Sequence, residues 1–365
     1  MRVLVALSGG VDSAAAAAVL VAAGHDVTGA TLKLWCYGGA EASPRSCCSL
    51  RDIEDARDAA STLGIPHYVL DEASQFDAEV VTPFVTSYLN GETPNPCVRC
   101  NTHLKFGSLL GRARRLGFDA VATGHYALRT DTPSGPVLRR ARDRAKDQSY
   151  VLWGISREDL ACSLFPLGEL TKSEARETAR RAGLRLAEKV ESQDICFVQG
   201  GAYSEFVAAR APDAVSGKPG ELVDTEGRVV GQHRGALHYT VGQRRGLGVA
   251  VGEPLYVVGV DATQNRVVVG READLLAKSC TVREVNWVSC DPPTEPLEAR
   301  VKIRYRAQPA LAVLEPLPGS RVRASFQEPV RAVAPGQSAV FYREDVLLGG
   351  GIIEPGRVET GLKTE

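Results

Sequence analysis

The chain has 365 residues, 44% of them hydrophobic and 24% charged, which is enough for two or three domains with real cores in an ordinary globular protein. Its formal net charge of −1 excludes a globally polycationic nucleic-acid binder, so any RNA partner must be held by local basic surfaces. No apolar run approaches membrane-spanning length, and Met1 to Leu7 reads as a strand rather than a signal peptide, so a cytoplasmic protein without a membrane partner is expected.

That opening strand runs straight into Ser8-Gly9-Gly10-Val11-Asp12-Ser13 and then into an alanine-rich helix over 14–23, stopped by Gly24. Gly9 and Gly10 let the backbone turn tightly and bring N–H groups close to an anion, while the helix points its positive end at the same spot. A Walker loop would need a longer glycine stretch and a Lys-Ser/Thr pair, and the dinucleotide fingerprint would need spaced glycines. The string from Ala6 to Ser13 instead resembles the PP-loop of ATP pyrophosphatases, enzymes that split ATP between the α and β phosphates and adenylylate a substrate.

Strand and helix keep alternating, as in a parallel α/β sheet. Strands are expected over 27–34, 67–70 and 120–123, and helices over 49–63 (capped by Ser49), 76–89 and 106–116. Thr171 with Glu174 forms a capping box for a helix that ends near Gly183. Residues 91–96, with two prolines, cannot be helical and form a loop that delivers Cys97 and Cys100. The alanine run 14–18 reads simply as good helix former. After about residue 205 glycine becomes frequent and short alternating strands take over. The expected architecture is an α/β PP-loop domain over about 1–205, a small β-rich central domain over about 206–272, and a C-terminal β-barrel over about 273–361. In the barrel the stretch 299–306 reads as a strand with Val301, Ile303 and Tyr305 on one face and Arg300, Lys302, Arg304 and Arg306 on the other.

Nine cysteines in a cytosolic chain point to reactive or metal-binding thiols rather than a disulfide framework. Cys97 and Cys100 form C-x-x-C. Cys36, Cys162, Cys280 and Cys290 read as buried small apolar side chains, and Cys47 and Cys48 receive no role. His25, His67 and His233 read as structural, and Trp35, Trp153 and Trp287 as core or interface.

Four further stretches narrow the class. They are the loop at 93–101 (TPNPCVRCN), the stretch 123–126 (TGHY), the run 146–150 (KDQSY) and the string 191–197 (ESQDICF). With 238–246 (HYTVGQRRG), Arg304-Tyr305 and Pro335-Gly336-Gln337, they resemble the tRNA-specific 2-thiouridylases over almost the whole chain. The resemblance implies a tRNA-uridine 2-sulfurtransferase that uses ATP with magnesium and is fed persulfide sulfur by a cysteine desulfurase or a sulfur-relay protein. The nucleotide site would comprise Ala6, Leu7, Ser8, Gly9, Gly10, Val11, Asp12 and Ser13, with Leu32 and Gly124 lining the adenosine pocket. The PP-loop amides and Ser13 would hold pyrophosphate, and Asp12 would sit near the nucleotide's metal.

The same resemblance makes Cys196 the persulfide carrier and Cys100 its partner, with thiolate reactivity raised by Arg99 and Lys105. Asn95, Pro96 and Cys97 would border the everted target base. His125, Lys146, Asp147, Gln148, Arg304, Tyr305 and Gln337 would contact tRNA. Two of these groups overlap basic stretches, at 139–146 and 300–306, for which a solvated charged face is the ordinary reading of charge alone. Cys97 stands where the better-known branch of the family has aspartate. Cys97, Cys100 and Cys196 could therefore alternatively hold a 4Fe-4S cluster with one open iron. Another PP-loop ligase, or an RNA-binding or iron–sulfur protein with a regulatory nucleotide site, are the other readings of the chain.

Overall fold

The computed structural model describes residues 1–34, 50–189, 195–198, 203–249 and 253–356. Trp35, Cys36, Cys47, Cys48, the Ser49 cap and residues 191–194 of the ESQDICF string lie outside them.

The N-terminal part is a five-stranded parallel sheet. Its first strand, β1 (Arg2–Ala6), is buried and leads into α1 (Val11–Ala22). On one side of β1 lies β2 (Asp26–Lys33), followed by α2 (Leu50–Thr62) and then β3 (His67–Asp71) at the edge. On the other side lies β4 (Ala120–Ala122), beyond which Ser163–Leu164 completes the sheet. Strand order therefore reverses at β1, and the crevice at the carboxyl ends of the strands at such a switch point is where open α/β sheets bind ligands. The PP-loop string sits there.

The alanine run does more than favour helix. Ala14 to Ala18 are all buried. Small side chains let α1 approach both the sheet and a helix at Lys172–Arg181, whose Ala175 and Ala179 share one cluster with Ala14, Ala15 and Ala18. The expected capping box is present: Thr171 Oγ1 accepts from Glu174 N at 3.3 Å, and Thr171 N donates to Glu174 Oε2 at 2.7 Å.

The central part is a four-stranded sheet in the order Tyr256–Asp261, Arg266–Gly270, Gly220–Val223 and Val229–His233. The C-terminal part is a closed barrel of six strands between Leu276 and Ile353, closed because Leu276–Trp287 pairs with both Arg321–Arg331 and Val346–Ile353. A hairpin of the N-terminal part, Ala127–Thr132 with Gly135–Arg140, extends the same sheet by pairing Leu138 with Leu347. One cluster joins Val98, Phe106, Leu138 and Trp153 to Val340, Tyr342 and Leu347, so the barrel and the N-terminal part share a core.

The expected strand at 299–306 is shorter. It is Leu297–Lys302, and the chain then turns, with Ala307 N donating to Arg304 O at 3.1 Å. The turn breaks the alternation. Lys302 is buried and Tyr305 is 41% exposed, the reverse of the faces the period of two implied.

Candidate active site

The PP-loop is braced from inside. Gly9 takes a left-handed conformation (φ +70°), and a Cβ there would lie 2.2 Å from Asp52 O, so only glycine fits between β1 and α2. Ser13 Oγ accepts from Ser8 N at 3.1 Å and donates to Gly10 O at 3.0 Å. Its hydroxyl, expected to hold pyrophosphate, is buried and used to hold the loop. The first turn of α1 begins at Val11 with extended Gly10 as N-cap and no side-chain cap, the kind of helix start whose amides can receive an anion. Gly124 packs on that same turn; a Cβ on it would lie 2.6 Å from Ser13 N. Leu32 is buried on β2, the neighbour of β1.

Two lysines that the sequence reading missed converge on this loop. Lys172 Nζ lies 2.6 Å from Asp12 Oδ1, which also accepts from Tyr126 OH at 2.9 Å. Lys189 Nζ donates to Gly9 O and Asp52 Oδ1, both at 2.8 Å, and to Asp55 Oδ2 at 2.6 Å. Burial disfavours the Lys189 charge, but the two carboxylates outweigh it and hold the ammonium pKa above the ordinary lysine value. Lys172 directly follows the capping threonine, so only its position, not its target, was visible in the sequence.

Cys97 and Cys100 lie on a helix rather than in a loop. Asn95 is its N-cap, with Oδ1 accepting from Cys97 N at 3.2 Å, and Pro96 occupies the first turn. This is the Asn-Pro start signal of a helix. The helix continues without interruption to Arg115, with a wide-turned π stretch at Cys100–Leu109, a form that often marks functional segments. Cys97 is exposed and Cys100 half-buried.

Cys100 and Cys196, 96 positions apart, pack against one and the same hydrophobic cluster. Phe197 anchors the second of them, with its ring 5.1 Å from that of Phe84 and 5.6 Å from that of Phe76. Arg99, between Cys97 and Cys100 in the chain, donates to Glu79 O at 2.6 Å, with its guanidinium 3.7 Å from the Glu79 carboxylate. Asn95 and Pro96 line a cleft of about 310 Å³ between this helix and the barrel, whereas Cys97 and Cys100 do not. Among the described residues no three His, Cys, Asp or Glu side chains come together as a metal site. Cys280 is held in the barrel core, where burial pushes its thiol up to about 12.

Comparison with known proteins gives three family matches in chain order. They are a tRNA methyl transferase HUP domain at 1–200, a tRNA methyl transferase PRC-barrel domain at 205–271, and an aminomethyltransferase beta-barrel domain at 277–353. Among curated proteins, the tRNA-specific 2-thiouridylase MnmA of Moorella thermoacetica is 48% identical over 96% of this chain and 99% of its own. The protein of the same name from Magnetococcus marinus is 49% identical over 96% of this chain and 98% of its own. The chain belongs to the tRNA-specific 2-thiouridylase family. The domain descriptions mention methyl transfer and the full-length relatives thiolation; identity near one half over the entire length decides between these labels.

The residues that family resemblance directs to tRNA fall into two groups here. Asp147 is buried, and its carboxylate accepts from Arg140 Nε (3.0 Å), Ala141 N (3.1 Å) and Ser149 N (3.2 Å), so it shapes the segment from inside. Gln148 Oε1 accepts from Tyr126 N at 2.9 Å. His125 Nδ1 meets Thr123 Oγ1 at 2.7 Å, and burial, with Lys105 nearby, holds its pKa well below 6.5, leaving a neutral ring. Gln337 Nε2 donates to Thr93 O at 2.8 Å, tying the barrel to the loop before Asn95.

Arg304 and Tyr305 lie on the turn after Lys302, and Lys146 is half-buried. The basic run around it is largely consumed, because Arg140, Arg142 and Arg144 pair with Asp147, Glu174 and Asp345. No helix among the described residues is long and apolar enough to cross a membrane.

Proposed function

We propose that this protein makes 2-thiouridine in tRNA, at C2 of the wobble uridine, in an ATP-dependent reaction with persulfide sulfur. The observation that carries this reading is the association of a PP-loop at the sheet's switch point with two distant cysteines, Cys100 and Cys196, bordering one cluster. It is supported by full-length membership of the thiouridylase family.

The C2 oxygen of uridine is a poor leaving group. Its attack on the α-phosphorus of ATP breaks the bond to the β-phosphate, releases pyrophosphate and leaves the base as an O2-adenylate. Amides of the first turn of α1 bind the departing anion, and Lys172 adds a cation beside Asp12. Magnesium would be held by Asp12 with phosphate oxygens, a site of one carboxylate that suits this ion, and would supply neutralisation of phosphate charge. The terminal sulfur of a Cys196 persulfide then attacks C2 and expels AMP. Cys100 thiolate attacks the Cys196 sulfur, forming a Cys100–Cys196 disulfide and freeing the thiocarbonyl. A thiol reductant resets the pair, and a cysteine desulfurase or sulfur-relay protein reloads Cys196.

Mass spectrometry of tRNA incubated with ATP, a cysteine desulfurase, cysteine and either wild-type or Cys196→Ser protein tests this. Wild type should yield 2-thiouridine with AMP and pyrophosphate, and Cys196→Ser should yield no 2-thiouridine. Unmodified tRNA with wild-type protein, or undiminished product with Cys196→Ser, would overturn it.

A further inference from the structure

The stretch 238–246 (HYTVGQRRG) has no part in the chemistry above, yet it builds a fixed loop. Gln243 staples it: Oε1 accepts from Thr240 N at 3.2 Å and Nε2 donates to Arg245 O at 3.0 Å. Gly242 N donates to Val257 O at 2.8 Å, and Val257 N donates to Gln243 O at 2.9 Å. The tip presents Arg244 and Arg245, both exposed. Three other arginines of this domain, Arg228, Arg266 and Arg271, each meet a carboxylate within 3.0 Å. Among the described residues Arg244 and Arg245 have no carboxylate partner. In a chain of net charge −1, two adjacent uncompensated cations on a pre-ordered loop are a local anion-binding surface.

The loop is also linked to the Arg304–Tyr305 turn through Arg331 and Tyr256. Arg304 Nη2 donates to Arg331 O at 3.3 Å, and the Arg331 guanidinium lies 5.1 Å from the centre of the Tyr256 ring. Tyr256 immediately precedes Val257, the residue bonded to the Gln243 loop, and packs with Ala332 and Val241. We propose that Arg244 and Arg245 are a phosphate-binding element that extends the Arg304–Tyr305 surface onto the central domain and takes the sugar-phosphate backbone of the RNA substrate. The inference rests on the function proposed above. It assigns the central domain a positioning role with no base readout.

The test is the salt dependence of binding of an unmodified tRNA transcript to four full-length proteins. These are wild type, Arg244→Ala/Arg245→Ala, Arg244→Lys/Arg245→Lys and Arg115→Ala, the last an exposed arginine at the opposite, amino-terminal end of the sheet strands. The double alanine variant should weaken binding and flatten the slope of log K against log salt by about 1.4 to 1.8, the loss of two phosphate contacts. The lysine pair should restore most of the slope, and Arg115→Ala should match wild type. A double alanine variant that keeps the wild-type slope, or a loss of slope equalled by Arg115→Ala, would overturn the proposal. Nucleotide binding measured on the same samples verifies that the variants are folded. If wild-type protein itself fails to bind the transcript, the functional reading falls, a result distinct from an unchanged slope in the double variant.

Discussion

Lys172 Nζ lies 2.6 Å from Asp12 Oδ1 although 160 residues separate them, and Tyr126 OH shares the same oxygen. The pair is only 13% and 29% exposed at its two side chains, so the ammonium sits in the crevice at the head of α1. There it can neutralise phosphate charge while Asp12 keeps it in place.

Lys172→Met should lower tRNA-dependent pyrophosphate release by about 10²-fold, the scale of losing one preorganised electrostatic group at a reacting phosphate. Lys172→Arg should recover part of it. Initial rates at saturating tRNA check this, and an unchanged rate in the methionine variant would remove Lys172 from the site.

Gly124→Ala should disturb the nucleotide site directly, because the added Cβ would stand 2.6 Å from Ser13 N and Asp12 C. Overpacking of this kind costs about 1–3 kcal/mol, and ATP affinity should fall at least in proportion. Gly111→Ala is the control, since its Cβ would meet nothing nearer than 3.7 Å; it should leave ATP binding intact. Calorimetric titration with ATP compares the two.

Glu92 takes both terminal nitrogens of Arg283 at 3.1 Å, and its side chain is 11% exposed. With Gln337 on Thr93 O and Thr93 N on Pro335 O at 2.8 Å, this pair clamps the loop before Asn95 to the barrel. Arg283→Ala should cost about 2 kcal/mol of stability by stranding a largely buried carboxylate. It should also raise the KM for tRNA while leaving ATP binding unchanged. Urea unfolding and steady-state kinetics read the two effects separately.

His125 is the residue for a pH test. Burial, reinforced by Lys105, depresses its folded pKa well below 6.5. Below about pH 6.5 the unfolded chain therefore binds a proton that folded His125 refuses. Stability contributed by the neutral ring is complete above that value and is lost as pH falls toward the folded pKa, by up to about 1.4 kcal/mol per pH unit for one such group. The folded pKa of His67, His103, His233 and His238 is lowered in the same direction, so wild type should weaken steadily between pH 6.5 and 5. His125→Asn should show a shallower decline; an identical decline in urea midpoint would contradict the sign argument.

Much of the architecture was legible because it depends on contiguous residues. The strand–glycine–helix succession at 2–22, the Thr171–Glu174 capping box and the change to short strands after about residue 205 each rest on neighbours in the chain. The Asn95-Pro96 start of the thiol-bearing helix was equally local, yet two prolines drew the reading toward a loop. The hairpin at 127–140 went unread because its partner strand lies some 200 residues on. The face assignment at 299–306 failed for a related reason. A period of two holds only while the chain remains a strand, and the turn at Arg304 ends it.

The order of the residues alone therefore settled the chemical inventory of this protein, a glycine-hinged amide cradle, two separated thiols and scattered cations, since each motif is a short run whose backbone preferences are local. Tertiary packing decided which of them act together. It placed Lys172 and Lys189 at the cradle, brought Cys100 and Cys196 to one cluster, and neutralised Arg140, Arg142 and Arg144 while leaving Arg244 and Arg245 exposed. Charge pairing and burial are properties of what folds nearby, and no single stretch of chain contains both partners.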